Sequence, residues 1–317
     1  MPPVLVVGSV AYDTVKTPFG EVTEALGGSA TYFSVAASFF TQVRLVACVG
    51  RDFNSDHISF LESRNVDLEG LEHVDGSTFR WSGEYGFDLN EAKTLETRLN
   101  VLADFKPKLP EPYKDSEYVF LGNLDPRVQR EVVAQVRNPK LIACDTMNYW
   151  ISGHFQSLLE TLKQVNLVII NDAEARQLTR ESNLIRAARK ILSWGPSVVV
   201  VKRGEYGALM FKAEAEGRVS VFGAPAYPLE DVFDPTGAGD SFAGGFMGYL
   251  AGVGRVDAQS LRQAVVFGSV IASFNVEKFS LERLKDLTFT EIELRYHEFR
   301  EMTRLDDVMH LKHGWQT

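Results

Sequence analysis

Residues 231–252, DVFDPTGAGDSFAGGFMGYLAG, set two small-residue turns and an acid directly ahead of an apolar run of helical length. Gly237 and Gly239 flank Ala238, so successive backbone N–H groups can converge with no bulky side chain in the way. Unpaired N–H groups at a helix N-terminus, together with the positive end of the helix dipole, form an anion site. Asp240 falls in the first turn of that helix. A carboxylate there is either a capping acid or a base held beside the bound anion, and spacing alone leaves both open. The commoner phosphate motifs do not fit: no Gly-Lys-Ser/Thr ending makes a P-loop, and Phe242 stands where the dinucleotide fingerprint needs its third glycine.

Such a turn needs a scaffold that delivers loops to one edge. Short Val/Ile/Leu runs (VLVVGS, RLVACVG, EYVFLG, KLIACD, NLVII, SVVVVK) alternate with helical patterns, as parallel strands covered on both faces do. The pattern predicts an α/β layered fold with sites at the carboxyl ends of the strands. Helices are expected over 28–39, 54–64, 126–136, 182–193, 237–251, 258–275 and 289–305, the last docking through Ile292, Tyr296 and Phe299. Residues 77–104, rich in Thr, Gly and aromatics, interrupt the alternation and read as short antiparallel strands of an inserted flap. The irregular stretch within 11–26 is a candidate to pair with it. The chain reads as one domain over 1–317 carrying these two lid segments.

Composition narrows the partners. Of the 317 residues, 33 are Lys or Arg and 42 are Asp or Glu, a net charge of −9, which argues against nucleic-acid binding by phosphate neutralisation. No apolar window approaches the roughly 18 residues of a membrane span, and MPPVLVVGSV lacks the form of a signal peptide, so a cytoplasmic protein is expected. Cys48 and Cys144 lie in apolar runs and read as small buried hydrophobes. The six histidines are scattered, and His310 and His313 have no second cluster with which to bind metal.

The full string DPTGAGDSFAGGF resembles the C-terminal signature of the ribokinase-like (PfkB) family of sugar and nucleoside kinases. VLVVGSVAYD resembles that family's first strand with its substrate-binding aspartate, here Asp13, and ALGGSATYF resembles its paired glycines, here Gly27 and Gly28. LVACVGRDFNSD and LESRNVDLEGL resemble the next unit. NDAEA resembles the Asn-x-x-Glu motif, placing Asn171 and Glu174 near nucleotide phosphates and magnesium, and VVVVKRGEYGAL resembles the turn bordering the nucleotide, with Lys202 and Gly204. The resemblance spans about residues 4–280, with its motifs in order. It implies a three-layer α/β/α sandwich with a mainly parallel sheet and a small β-strand lid, and transfer of the ATP γ-phosphate to a primary hydroxyl of a sugar or nucleoside. Mg2+ through Glu174, and a monovalent cation such as K+, would be cofactors. Asp240 would be the base, and the amides of Ala238, Gly239 and Asp240 the anion hole.

Each assignment has a plainer alternative. Asp13 could close a turn, Gly27 and Gly28 could only join strand to helix, Glu174 could be a capping-box acid, and Lys202 could stand near solvent. The family's asparagine four places after the paired glycines is here Tyr32. With Phe79, Trp81, Tyr85 and Phe87 it would suit a flat substrate such as a nucleoside base, unless these rings merely pack the flap. A catalytically silent sensor on the same fold would have no need of Asp240 and Glu174 together, and a nicotinamide oxidoreductase lacks its glycine fingerprint. An exposed flap edge offers a route to a homodimer.

Overall fold

Successive residues of each central strand point into different cores. In β1 (Val4–Val7), Val4 and Val6 enter one apolar cluster while Leu5 and Val7 enter another, and Tyr118–Leu121 and Val198–Val201 alternate in the same way. A continuous apolar run therefore marks a strand with helices on both faces. The computed structural model describes residues 1–304; His310 and His313 lie outside the described residues.

After β1 come β2 (Ala11–Thr17), β3 (Gly20–Gly27), α1 (Ser29–Ala37), β4 (Val43–Gly50), α2 (Ser55–Ser63), β5 (Val66–Val74), β6 (Phe79–Tyr85) and β7 (Ala92–Arg98). The middle of the chain supplies β8 (Tyr118–Leu121), α3 (Pro126–Val133), β9 (Leu141–Cys144), α4 (Asn148–Gly153), α5 (Phe155–Leu162), β10 (Leu167–Asn171), α6 (Asp172–Thr179), α7 (Leu184–Leu192) and β11 (Val198–Lys202). The remainder is β12 (Ala208–Ala213), β13 (Val219–Ala224), α8 (Ala238–Val253), α9 (Ala258–Asn275), α10 (Glu282–Asp286) and α11 (Phe289–Met302).

Nine strands form the central sheet in the order β13-β12-β11-β10-β9-β8-β1-β4-β5. All neighbours are parallel except β11/β12 and β12/β13. From β1 the chain winds first toward β5 and later, from β8, toward β13, so the crevice where a ligand is expected opens beyond the carboxyl ends of β1 and β8. Helices α1, α8 and α9 cover one face, and α3, α5, α6 and α7 the other. Gly244 lets α8 lie against α1, since a Cβ there would stand 2.4 Å from Phe33 O. This contact fixes the helix whose first turn holds Asp240.

A second sheet of four strands runs β3-β2-β6-β7. β2 pairs antiparallel with β3 but parallel with β6, which pairs antiparallel with β7, so only part of the 77–104 segment has the antiparallel form expected of it. Residues 100–104 form a short 3-10 turn instead. Helices α4, α5, α6 and α10 and strands β5, β12 and β13 were not anticipated: the four helices are short, and β5 and β13 have few buried residues to display a period.

Candidate active site

Two loops converge on the crevice from opposite sides. From the small sheet, Asp13 on β2 lies 5% exposed and its Oδ2 accepts the Gly28 N–H at 3.3 Å. Its carboxylate occupies the space where a Gly27 side chain would begin, for a Cβ there would fall 2.0 Å from Oδ2. Gly28 has φ +93° and would clash with Ser9 O at 2.5 Å if it carried a Cβ, so both glycines are dictated by the turn that seats Asp13. Reciprocal hydrogen bonds between Ser9 and Ser29 tie this turn to the end of β1.

From the other side, the 234–240 turn opens α8. Asp234, fully buried, accepts the N–H groups of Thr236 and Ser280, each at 2.9 Å. Asn275 Nδ2 donates to Thr236 O at 2.8 Å, and its Oδ1 pairs with Ser241 Oγ at 3.0 Å. Thus braced, the chain passes through Gly237 in the left-handed region (φ 74°) and enters the helix. The Ala238 N–H is committed to Pro235 O at 3.1 Å, which removes it from the three amides expected to hold an anion. It closes the turn, as the i→i+3 bond of a tight turn does. Among the described residues the Gly239 and Asp240 amides have no backbone acceptor and remain as the helix-end donors.

Burial pushes the Asp240 carboxyl up to about 7, helped by the charge of Asp145 and opposed by Lys202. Asp13 is likewise pushed to about 7, chiefly by burial, against the Gly28 hydrogen bond and with the charges of Asp240 and Asp234 adding to the rise. The charge of Asp240 thus reaches Asp13, and burial is the first cause that holds each carboxyl raised to about 7. This is the tuning that proton transfer at neutral pH requires.

Behind Gly239 lies Lys202, at the end of β11 and in register with Asn171 on β10. Its side chain is half-buried at 17% exposed and its Nζ stands 3.7 Å from Asp145 Oδ2, so the lysine turns toward the acids of the site. A Cβ on Gly239 would lie 2.7 Å from Nζ. Burial disfavours the ammonium, but Asp145, Glu174 and Asp240 outweigh it and hold its pKa above the ordinary value. Asp145, 7% exposed at the end of β9, was not singled out from the sequence; the only signal was an acid closing the strand LIACD. Asp234 and Asn275 were also missed, and Asn275, the last residue of α9, gave no signal at all.

Glu174 does cap α6: Asn171 Oδ1 accepts the Glu174 N–H and Glu174 Oε2 accepts the Asn171 N–H, both at 2.8 Å. Its carboxyl is nonetheless pushed up to about 7, by burial first and then by Asp145, so it belongs electrostatically to the same cluster. No group of three or more His, Cys, Asp or Glu side chains among the described residues forms a closed metal cage. Magnesium, which keeps several waters and takes one or two protein carboxylates plus phosphate oxygens, fits Glu174, whose Oε1 has no hydrogen-bond partner among the described residues and which feels the charge of Asp145. Gly204, at φ +53°, forms the turn after β11, where Asn90 of the β6–β7 loop approaches it.

Tyr32 requires a correction. It is 1% exposed within the core, and its ring lies flat against Gly237, where a Cβ would meet three ring carbons at 2.4–2.5 Å. The ring supports the turn from below and presents no face to a ligand. Of the flap aromatics, Phe79 and Trp81 are half-buried, Phe87 is 88% exposed, and Tyr85 reaches the 234–240 turn.

The pfkB family carbohydrate kinase model matches residues 1–285. The chain belongs to that family. This pfkB-family protein is 29% identical over 255 residues to cytidine kinase of Thermococcus kodakarensis, covering 78% of this chain and 88% of the relative. The nucleoside kinase of Burkholderia thailandensis, solved in complex with inosine, superposes with a TM-score of 0.69 at 18% identity over 93% of this chain and 98% of its own. An Escherichia coli ribokinase II candidate in complex with ATP and Mg2+ gives a TM-score of 0.75 at 18% identity, over 94% and 100%. These likenesses establish the ribokinase-like fold. The protein is a phosphotransferase of the sugar- or nucleoside-kinase type. No helix among the described residues is long and apolar enough to cross a membrane.

Proposed function

We propose that this kinase transfers the γ-phosphate of ATP to a primary hydroxyl of a nucleoside, with Asp240 as general base. The observation that carries the reading is the placement of Asp240 in the first turn of α8, next to Gly239 with the Lys202 ammonium packed behind it, while buried Asp13 on the small sheet feels the charge of Asp240. Asp13 accepts a hydrogen bond from the acceptor alcohol and orients it. Asp240 takes the hydroxyl proton as the alcohol oxygen bonds to the γ-phosphorus and the bond to the β–γ bridging oxygen breaks, releasing ADP. The Gly239 and Asp240 amides and Lys202 hold the charge on the transferring group. Magnesium, held through Glu174 and water, neutralises nucleotide phosphate charge when bound.

Nucleoside rather than free sugar is supported by the names of relatives: cytidine kinase at 29% identity, and nucleoside kinases of Methanocaldococcus jannaschii and Methanothermobacter thermautotrophicus at 23% and 26%. Tyr32 contributes nothing to that choice. The test is a turnover screen of nucleosides, ribose, fructose and inositol with ATP and Mg2+, run on wild type and Asp240→Asn. Nucleosides should lead in kcat/KM. The variant should bind nucleotide normally and lose roughly 10²–10⁴-fold in kcat. Near-normal turnover by Asp240→Asn removes the base assignment, and a sugar ranked first removes the nucleoside assignment.

A further inference from the structure

The small sheet sends two side chains into the site, and only one of them is accounted for above. Asp13 projects from β2; Tyr85 is the last residue of β6, and the two strands pair in parallel with Asp13 opposite Trp81. The Tyr85 hydroxyl accepts a hydrogen bond from Thr236 Oγ1 at 3.3 Å. Thr236 is the residue before Gly237 in the turn that opens α8. Its N–H is held by Asp234 and its carbonyl by Asn275, so the side chain is its remaining polar group, and Tyr85 is the partner of that group. Burial pushes the phenol up to about 12 despite the Thr236 bond, with Asp234, Asp13 and Asp240 adding to the rise, so it stays neutral throughout the working range. Beyond Tyr85, the loop to β7 brings Asn90 Oδ1 to within 3.0 Å of where a Gly204 Cβ would stand. The β6–β7 hairpin therefore touches both the turn before the candidate anion hole and the turn after β11.

We propose that Tyr85 is a positioning residue that latches the small sheet to Thr236, so that seating Asp13 on the acceptor and aligning the 236–240 turn are one movement. The inference rests on the kinase reading for its kinetic consequence but not for the contact itself. Asp13 and Tyr85 belong to one hydrogen-bonded sheet and cannot move far independently. When the sheet closes, Asp13 meets the acceptor as Tyr85 meets Thr236, and bulk water is shut out of the path between the acceptor hydroxyl and the γ-phosphate. When the sheet is open, Thr236 loses its side-chain partner and the turn has one tether fewer.

The test is a double-mutant cycle of Tyr85→Phe, Thr236→Val and the double variant in the full chain, with three readings. First, Tyr85→Phe should lower kcat with the best acceptor about 2- to 12-fold, the equivalent of one neutral hydrogen bond, with KM for ATP unchanged. Second, the ratio of acceptor-independent ATP hydrolysis to transfer should rise in each variant. The double variant should be no worse than the more impaired single one, because both remove the same bond. Third, amide hydrogen exchange over residues 79–98, measured without substrate, should quicken in Tyr85→Phe and quicken no further in the double variant. Additive losses, or an unchanged hydrolysis ratio and exchange, overturn the latch, as does a lowered Tm with kinetics intact. If the exchange responds as expected while wild type phosphorylates no alcohol, the latch stands and the kinase assignment falls.

Discussion

Replacing Gly27 by alanine is the sharpest test of how this site is built, because the glycine is needed for room and not for backbone freedom. Among the glycines with φ in the left-handed region Gly27 does not figure, whereas its neighbour Gly28 does. An added Cβ would lie 2.0 Å from Asp13 Oδ2 and 2.4 Å from its Cγ. No small shift relieves an overlap of that size, so the Asp13 side chain must leave its rotamer and give up the Gly28 N–H. Losing a buried hydrogen bond to a charged group costs about 1.5–3 kcal/mol and an off-rotamer side chain about 0.5–1.5 kcal/mol, for a total of roughly 2–4.5 kcal/mol. At about 2 °C per kcal/mol for a domain of this size, Tm should fall by roughly 4–9 °C. Substrate KM should rise as Asp13 is displaced. In an Asp13→Ala background only the Asp13 Cβ remains, 3.0 Å from the new methyl, and the penalty should shrink by at least half. Thermal denaturation of the four proteins in the cycle measures this coupling. A Gly27→Ala penalty that is equally large without the Asp13 carboxylate would refute the steric argument.

Asp13, Glu174 and Asp240 all have carboxyl groups raised to about 7 in the folded protein, above their unfolded values near 4. The folded state then holds more protons than the unfolded chain between these limits, so the protein without ligand should lose stability as pH rises from about 4 to about 7. Asp240→Asn should relieve part of this, raising Tm at pH 8 while abolishing most turnover; a lower Tm at pH 8 would contradict it. For Lys202→Met we expect a raised KM for ATP and a loss of about 3–5 kcal/mol in denaturant unfolding at pH 8, since the acids around it lose their counter-charge. Tyr32→Ala should destabilise by about 3–5 kcal/mol through the cavity it leaves under Gly237, with the rank order of acceptors unchanged. A changed order would restore the ring to the substrate.

Strands β1, β4, β8, β9, β10 and β11 announced themselves because burial on both faces demands unbroken apolar runs such as VLVV and VVVV, and the glycine turn because a tight approach to an anion admits few residue types. Chain order therefore disclosed the layered architecture and the family resemblance, and through that resemblance offered Asp13, Gly27, Gly28, Lys202, Gly204, Gly237, Gly239 and Asp240 as candidates. What chain order could not disclose was where hydrogen bonds and rings end up. The Ala238 amide looks as free as its neighbours until Pro235 O is found across the turn. Tyr32 is a surface aromatic or a core one depending on which way α1 rolls, and the close packing of α1 on α8 turned it under Gly237. Asp145 and Asn275 are isolated polar residues in sequence; they acquire meaning only because β9 ends beside Lys202 and α9 ends beside Thr236. Local pattern specifies which element a residue joins, since period and turn chemistry are short-range. The charge balance and the tethering of the site are sums over residues as much as 227 positions apart, from Asp13 to Asp240, and only the folded chain brings those terms within reach of one another.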